Sequence, residues 1–342
     1  MNPDVQPLVS VLTPVYNGEQ YLAECIESVL AQTYQNWEYV IVNNCSTDRT
    51  LDIANDYAEK DRRIRVHNNK TFVGCDANGN IAFQQIASDS KYCKVVHADD
   101  WIYPECILKM VQLAEIHPSV AMVGAYGLRN DRVAWDGLPY TSNVISGREI
   151  CRITLMGGLY VFGSPTSLLI RSSEVRKRPT FYNEENRHCD IESCVDVLRD
   201  HDFGFVHQVL TFTRDHADSE TSFNVRYGTD YLGTLEILTK YGKTYLTDQE
   251  YKQCLKKMWN DYYAFLGVKV LHTSEKQFLP FHRKALSRIG FSLSLSKVAK
   301  AVLSDACDLL FNPYKTFQRV IRRLHISKER RGKREQRLVG HT

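Results

Sequence analysis

Short apolar runs and longer amphipathic stretches alternate through the first two thirds of the chain. The runs are rich in valine and isoleucine, as buried strands are, and the stretches repeat apolar residues every three or four positions, as helices do. Because strands and helices of this length alternate, the pattern predicts an α/β fold with a mostly parallel sheet wound with helices. Predicted strands cover 8–16, 39–42, 64–67, the run that ends at Asp99–Asp100, and 205–212; predicted helices cover 19–32, 104–117 and 190–200.

The pattern changes in the second half of the chain. Residues 127–145 are polar and rich in glycine and asparagine, which predicts a loop. Residues 157–171 predict a turn followed by a strand, and the last third is helical in its periodicity. We therefore expect an α/β domain over residues 1–227, a helical C-terminal region over 228–324, and a basic, disordered tail over 325–342.

The bulk composition is that of a globular protein. With 342 residues and 43% hydrophobic content, the chain can build a sizeable core. No stretch reaches the roughly 18 uncharged apolar residues of a membrane span, and Met1–Asp4 does not begin like a signal peptide, so we expect a cytoplasmic protein. The ten cysteines are scattered without a Cys-x-x-Cys pair, which favours free thiols over disulfides or zinc ligands.

Positive charge is concentrated at the C-terminus. Residues 315–342 contain ten lysines and arginines against two acids, whereas the net charge of the whole chain is +3. A helix from Pro313 to Leu324 would separate an apolar side from a basic side. This is typical of a helix at the inner face of a membrane, and equally of a helix docked on the protein with its charged side outward. Few aromatic residues lie among these basic ones, so we expect no nucleic-acid partner.

Two adjacent carboxylates follow the apolar run at Val95–Val96. Asp99 and Asp100 repel each other unless a cation or a set of hydrogen-bond donors lies nearby. At the carboxyl end of a strand, where open α/β sheets bind ligands, they indicate a site for a divalent metal and a sugar nucleotide. The alternative is an acidic turn that caps the helix beginning near Pro104, since aspartate favours helix starts.

Several further motifs occur in order around this acidic pair. They are Val11–Gly18 (VLTPVYNG), Ser28–Tyr34 (SVLAQTY), Val42–Asp48 (VNNCSTD), Asn80, Ala98–Asp100, Gly163–Pro165, Asp190–Glu192 and Arg214–His216, followed by Ser219 and Thr221. Each motif is short, but the ordered set resembles the family 2 inverting glycosyltransferases with the GT-A fold. The resemblance covers residues 7–225 and implies a GT-A catalytic domain over 1–227.

The resemblance implies a role for each matching residue. Asp100 would ligate Mg²⁺ or Mn²⁺, with His216 near the metal or the diphosphate, and Asp99 would meet the ribose or share the metal. Asp190 would be the base that takes the proton of the acceptor hydroxyl, and the start of a helix favours its ionised form. The implied nucleotide-sugar contacts are Pro14, Tyr16, Asn17, Asn44 and Asp99.

Simpler interpretations of three of these residues stay open at this point. Asp190 could be a helix N-cap without chemistry. Tyr16, which the resemblance places against the nucleotide base, could instead pack beneath the next helix. His216 could be a surface histidine at the end of a strand.

The sequence departs from the family at three places. Asn43–Asn44 replaces the usual acidic pair after the second strand, and His97 stands where an acid often precedes the Ala-Asp-Asp step. Gly79, next to Asn80, replaces a frequent arginine and so removes one phosphate contact. The carbonyl of Asn44 can still accept a hydrogen bond from a pyrimidine N3–H, so a UDP-sugar donor is expected.

We therefore expect a metal-dependent inverting glycosyltransferase of the hexosyltransferase type. Its acceptor would be a glycan or lipid-linked glycan in surface polysaccharide synthesis. A nucleotidyltransferase is one alternative, but it normally carries a glycine-rich basic loop after the first strand, and residues 14–18 contain no lysine or arginine. A non-catalytic nucleotide-sugar-binding protein is another: Asn43–Asn44 favours it, and the acids at 99, 100 and 190 argue against it.

Overall fold

Ten strands of the described chain form one sheet. The computed structural model describes residues 6–214, 220–273 and 275–312. The strands are β1 Val9–Val15, β2 Trp37–Asn43, β3 Ile64–Asn68, β4 Tyr92–Val95, β5 Trp101–Ile102, β6 Val120–Arg129, β7 Arg132–Ala134, β8 Val144–Ile145, β9 Leu168–Arg171 and β10 Asp202–Thr213. Their order is β3-β2-β1-β4-β9-β6-β10-β5, with β7 paired to β6 and β8 to β10.

One half of the sheet is parallel throughout. Strands β3, β2, β1 and β4 pair in parallel, as do β6 and β10. Strand β9 runs antiparallel to both β4 and β6, and β5 runs antiparallel to β10. The predicted mostly parallel sheet is therefore confirmed. Because β9 is reversed, the turn that precedes it lies beside the carboxyl end of β4.

Helices cover both faces of the sheet and make up the last third of the described chain. They are α1 Leu22–Leu30, α2 Thr50–Lys60, α3 Cys75–Gln84, α4 Cys106–Ile116, α5 Gly147–Leu155, α6 Ser172–Arg176, α7 Cys189–Val197, α8 Glu220–Tyr227, α9 Thr229–Tyr245, α10 Asp248–Val270, α11 Phe278–Arg288 and α12 Leu295–Phe311. A 3₁₀ turn, Pro165–Ser167, precedes β9. Helices α9 to α12 confirm a helical C-terminal region, whereas α8 lies before residue 228, where that region was predicted to begin.

Two apolar cores form because successive side chains of a strand point to opposite faces of a sheet. In β1, Val9 and Val11 join the core that includes α1 and α4, whereas Leu12 joins the core that includes α3, α7 and α9. All ten cysteines are free thiols, and six of them are buried in these layers. The two cores hold the strand ends in place from both sides.

Two local expectations from the sequence are wrong. Residues 127–145 are not simply a loop, because β6 extends to Arg129 and forms a hairpin with β7. Backbone hydrogen bonds to an existing strand build this hairpin without a strong apolar pattern. In addition, β4 ends at Val95, and Asp99–Asp100 lies in a turn in which the Asp100 N–H donates to the carbonyl of His97 at 3.0 Å. The backbone of the two acids therefore follows the turn and not the extended conformation of a strand.

The described residues divide into two compact units between Leu255 and Lys256. In the second unit, His282 of α11 is fully buried, and its Nδ1 shares a hydrogen bond of 2.8 Å with the hydroxyl of Tyr262. Its Nε2 has no hydrogen-bond partner within the described chain. Burial lowers the pKa of His282 to about 4. Across the ranges described above, no helix has the length and apolar character needed to cross a membrane.

The free energy of unfolding should fall as pH falls from 7 to 5, in part because of His282. Between its unfolded pKa of 6.5 and its folded pKa of about 4, the unfolded state binds more protons. At about 1.4 kcal/mol per pKa unit, this costs roughly 2 kcal/mol at pH 5. Urea unfolding at both pH values should show a smaller loss for His282→Phe than for the wild type. Equal losses would contradict the assignment.

Candidate active site

The turn after β4 carries two acids at the carboxyl edge of the sheet. Asp99 is half-buried and Asp100 is only 3% exposed. Burial and the negative charge of Asp99 raise the pKa of the Asp100 carboxyl to about 6. Two carboxylates held this close in a poorly solvated place gain stability when a cation neutralises them.

Residues from two other elements hold the Asp100 carboxylate. Its Oδ2 accepts a hydrogen bond of 2.6 Å from the hydroxyl of Thr166, and the hydroxyl of Thr213 lies 3.5 Å away. Its Oδ1 accepts from the backbone N–H of Arg214 at 3.1 Å. The 3₁₀ turn and the end of β10 therefore meet at one carboxylate. Sequence reasoning missed Thr166, although it directly follows the Gly163–Pro165 motif.

A buried lysine fixes the 3₁₀ turn that carries Thr166. Lys94 on β4 is fully buried, and its Nζ donates to the carbonyls of Thr166 at 2.7 Å and Leu168 at 3.3 Å. Burial lowers the pKa of Lys94, because a poorly solvated ammonium is costly. The lysine thus positions the turn that positions Asp100. No sequence signal identified it, because its carbonyl partners lie more than seventy residues away in the chain.

Asp190 lies half-buried in the first turn of α7. Burial raises the pKa of its carboxyl, while the charge of His188, the N–H of Ile191 and the charge of His97 act in the opposite direction. The charge of His97 also lowers the pKa of Asp100, so Asp190 and Asp100 both lie near this histidine. The N-cap position of α7 belongs to His188, so Asp190 is not the cap residue.

Asn80 on α3 fixes the loop that leads to Asp190. Its Oδ1 accepts from the backbone N–H groups of Phe181 and Tyr182 at 3.1 and 2.8 Å, and its Nδ2 donates to the Tyr182 carbonyl at 2.9 Å. A Cβ at the neighbouring Gly79 would lie 3.0 Å from the Tyr182 ring. The glycine found in place of the family's arginine therefore lets Tyr182 pack against α3.

Glu192 holds the same loop from the other side. It is 3% exposed, and its Oε2 accepts from the side-chain amides of Asn183 and Asn186 at 3.0 and 2.8 Å. Its Oε1 pairs with Lys240 of α9 at 2.7 Å. With all of these partners inside the protein, Glu192 supports the Asp190 loop.

Asn17 joins the loops that follow β1 and β2. Its Oδ1 accepts from the N–H of Thr47 at 2.8 Å, and its own N–H donates to the Ser46 hydroxyl at 2.9 Å. Its positive φ of 49° suits asparagine, which tolerates the left-handed region. The loop after β1 also reaches the acidic turn, since a Cβ at Gly18 would lie 3.5 Å from the Cβ of Ala98. The loop that carries Tyr16 and Asn17 therefore neighbours the acidic turn at Gly18.

Tyr16 projects from this loop and meets a second exposed aromatic residue. The rings of Tyr16 and Phe72 pack edge to face with centroids 4.8 Å apart, and the side chains are 49% and 61% exposed. Tyr16 is therefore not packed beneath the following helix. Sequence reasoning missed Phe72, because a single aromatic residue in a polar loop carries no periodic signal.

The side chain of Asn44 is engaged within the protein. Its Oδ1 accepts from the N–H of Val73 at 3.0 Å and from Nδ2 of Asn69 at 3.1 Å, and its Nδ2 donates to the Val73 carbonyl at 2.9 Å. Asn44 thereby holds the loop that carries Phe72. Its predicted contact with a nucleotide base stays a prediction. Pro14, the remaining predicted donor contact, lies half-buried in β1 opposite Val42.

Arg214 connects the acidic turn with α1. Its Nε donates to the carbonyl of Asp99 at 3.2 Å, and one terminal nitrogen pairs with Glu24 at 2.6 Å. The guanidinium also lies over the ring of Tyr21, 4.5 Å from its centroid. His216, predicted near the metal, lies outside the described residues.

The donor set at the acidic turn fits a hard divalent cation. The charge of Asp99 contributes to the raised pKa of Asp100, which identifies a site that favours an added positive charge. Carboxylate oxygens are the ligands that Mg²⁺ and Mn²⁺ prefer. Across the residues with described positions, no three His, Cys, Asp or Glu side chains converge as a complete metal site. The protein residues available there are Asp99 and Asp100.

Comparisons with known proteins agree with this architecture. The sequence model of the family described as "Glycosyl transferase family 2" matches residues 10–175. The "Uncharacterized glycosyltransferase RP339" of Rickettsia prowazekii (strain Madrid E) is 28% identical over 299 residues, which cover 84% of this chain and 91% of that protein. The predicted resemblance is confirmed.

Solved structures confirm the GT-A fold. TarS 1–349 of S. aureus in complex with UDP-GlcNAc has a TM-score of 0.62 and 17% identity, over 83% of this chain and 80% of that one. The mannosyltransferase PcManGT of Pyrobaculum calidifontis in complex with GDP-Man and Mn²⁺ has a TM-score of 0.54 and 16% identity, over 92% and 84%. At these identities, the likeness concerns the fold.

Proposed function

Because residues 10–175 form a family 2 glycosyltransferase region in a GT-A fold, we propose that the protein is an inverting, metal-dependent hexosyltransferase. The observation that carries this proposal is the buried Asp100 carboxylate beside Asp99, together with Asp190, whose pKa the charge of His97 lowers as it lowers that of Asp100. Asp99 and Asp100 suit a cation and a diphosphate, and Asp190 suits an acceptor hydroxyl. A transferase needs both.

Asp190 acts as the general base in this proposal. Its carboxylate takes the proton of an acceptor hydroxyl as that oxygen attacks the anomeric carbon of the donor sugar. The new carbon–oxygen bond forms while the bond to the diphosphate breaks on the opposite face, so the configuration inverts. The raised pKa of Asp190 makes its carboxylate a stronger base than an exposed aspartate.

Asp100 and Asp99 would hold Mg²⁺ or Mn²⁺ beside the diphosphate. The cation supplies positive charge that offsets the charge of the departing nucleoside diphosphate. Thr166, Thr213 and the N–H of Arg214 keep the Asp100 carboxylate in one orientation. His216 is proposed as an additional ligand from the family motif alone.

The donor is proposed to be a UDP-sugar that lies along the loops after β1 and β2. Tyr16 flanks the base, and Pro14, Asn17, Asn44 and Asp99 contribute to the nucleotide site. Two structures with the same fold hold UDP-GlcNAc and GDP-Man, so both nucleotides belong in the test. The Asn44 carbonyl oxygen already accepts hydrogen bonds from Asn69 and Val73, which argues against a contact between this oxygen and uracil.

The acceptor is proposed to be a glycan or lipid-linked glycan used in surface polysaccharide synthesis. A membrane-bound acceptor would suit the basic residues after 314, which anionic headgroups attract by about 1 kcal/mol each near the surface. The predicted basic helix at 313–324 lies outside the described residues, so peripheral membrane contact rests on the sequence alone.

Donor hydrolysis by the purified full chain tests the proposed function. UDP- and GDP-hexoses are incubated with Mn²⁺, with Mg²⁺ or with a chelator, and release of nucleoside diphosphate is measured. We expect one nucleotide class to be hydrolysed in a metal-dependent way. Release of pyrophosphate from nucleoside triphosphates with a sugar phosphate would identify a nucleotidyltransferase instead. Donor binding without turnover, even with acceptors present, would identify a binding protein.

A further inference from the structure

A second aromatic pair lies on the opposite side of the acidic turn from Tyr16. Trp135 follows β7, and Tyr160 lies in the connection between α5 and the 3₁₀ turn. Their rings pack edge to face with centroids 5.9 Å apart. Tyr160 is 36% exposed and Trp135 is half-buried, so aromatic surface remains open to a ligand.

The backbone is built to hold Trp135 in this place. Trp135 has a φ of 65°, in the left-handed region that a bulky residue rarely adopts. A Cβ at Gly127 would lie 2.7 Å from its Nε1, and one at Gly163 would lie 3.3 Å from its Cε2. Two glycines and a strained residue therefore make room for the indole. Such strain is concentrated where a side chain has a function.

Tyr160 connects the aromatic pair with the turn that orients Asp100 and with Asp190. The Tyr160 hydroxyl donates to the carbonyl of Gly163 at 2.9 Å, and Gly163 leads into the turn whose Thr166 holds Asp100. Burial and the negative charge of Asp190 both raise the pKa of the Tyr160 hydroxyl, so the candidate base is also a neighbour. Tyr160 thus contacts the residue that leads into the Thr166 turn and lies within electrostatic range of Asp190.

The sheet order separates this pair from the donor side. The loops that carry Tyr16 and Phe72 follow β1 and β3, in the parallel half of the sheet. Trp135 is attached to β7, which pairs with β6 on the far side of β4 and β9. A group seated on Trp135 and Tyr160 is therefore separated along the sheet from the loops of Tyr16 and Phe72 by β4 and β9.

We propose that Trp135 and Tyr160 form the platform on which a sugar ring of the acceptor stacks. The C–H face of a pyranose is apolar and packs on aromatic surface, while its hydroxyls stay available to Asp190. The acceptor is then a saccharide, rather than a lipid alcohol or a protein hydroxyl. This inference rests on the proposed function, because it identifies the acceptor of the same site.

Saccharide binding and transfer by the full chain test the platform separately from the donor reaction. The probes are octyl β-glycosides of glucose, galactose and their N-acetylamino forms, used below the micelle concentration, with octyl glycerol as a ring-free hydroxyl control. Saturation-transfer NMR should show binding of at least one glycoside but not of octyl glycerol. Trp135→Ala should raise the acceptor KM and lower the ratio of transfer to donor hydrolysis, each by ~10-fold, equivalent to about 1.4 kcal/mol. Trp135→Phe should restore most of the loss.

Tyr140→Ala is the matched control, because Tyr140 is 80% exposed in the same segment but packs on His207. It should leave the acceptor KM unchanged. An unchanged acceptor KM in Trp135→Ala, or transfer and hydrolysis falling together, would overturn the platform. So would equal binding of octyl glycerol and the glycosides. Glycoside binding that depends on Trp135 without any donor turnover would keep the saccharide site and reject the transferase.

Discussion

Asp190→Asn should lower sugar transfer by at least ~10²-fold while donor binding stays close to that of the wild type, as expected when a general base is lost. The amide keeps the shape of the side chain but cannot take the acceptor proton. Transfer should be measured at saturating donor, and donor binding by calorimetry with the nucleoside diphosphate and Mn²⁺. The transfer rate of the wild type should increase with pH, and this increase should occur at higher pH than the ordinary titration of an aspartate, because burial raises the Asp190 pKa.

Asp196→Asn provides the control on the same helix. Asp196 lies in α7 and pairs with Arg178 at 2.6 Å, so its replacement removes an ion pair without touching the proposed site. This variant should keep its turnover. A parallel loss of donor affinity and rate in Asp190→Asn would make Asp190 a donor contact or a structural residue, and the proposed base would have to be sought elsewhere.

Asp100→Asn should abolish metal-dependent donor binding and lower transfer by about 10²–10³-fold, as expected when one electrostatic stabiliser of a developing negative charge is lost. Thr166→Val should have a smaller effect of the same kind, because it removes only the 2.6 Å hydrogen bond that orients the carboxylate. Both variants should be titrated with Mn²⁺ in the presence of nucleoside diphosphate. Wild-type protein that stays fully active in a chelator would contradict the metal assignment.

Thermal unfolding distinguishes loss of the metal from loss of the fold. The folded-state pKa of Asp100 is raised to about 6 from 3.8, so above pH 6 its ionised form costs stability unless a cation is bound. Metal-free Asp100→Asn should therefore unfold at pH 8 no more easily than the metal-free wild type. Mn²⁺ should raise the melting temperature of the wild type but not that of the variant. A variant that melts far below the metal-free wild type would show that Asp100 is needed for folding.

Local pattern was enough to predict much of the fold. Strand β1 has three valines and a leucine among its seven residues, and α1 and α4 repeat apolar residues at helical spacing. Sequence neighbours alone therefore determine where these elements form. Their alternation determines a parallel sheet, because parallel strands need a crossover connection. The order of the short motifs along the chain indicates the family without any knowledge of the fold.

The tertiary structure decided which side chains act together. Thr166 reaches Asp100 across 66 residues, Lys94 holds that turn across 72, and Asn80 fixes the Asp190 loop across 102. Trp135 fits beside Tyr160 because glycines stand at 127 and 163. The sequence determined the elements because their periodicity lies in adjacent residues. It could not determine these partners, because a hydrogen bond between distant residues leaves no periodic trace and exists only once the strands have packed.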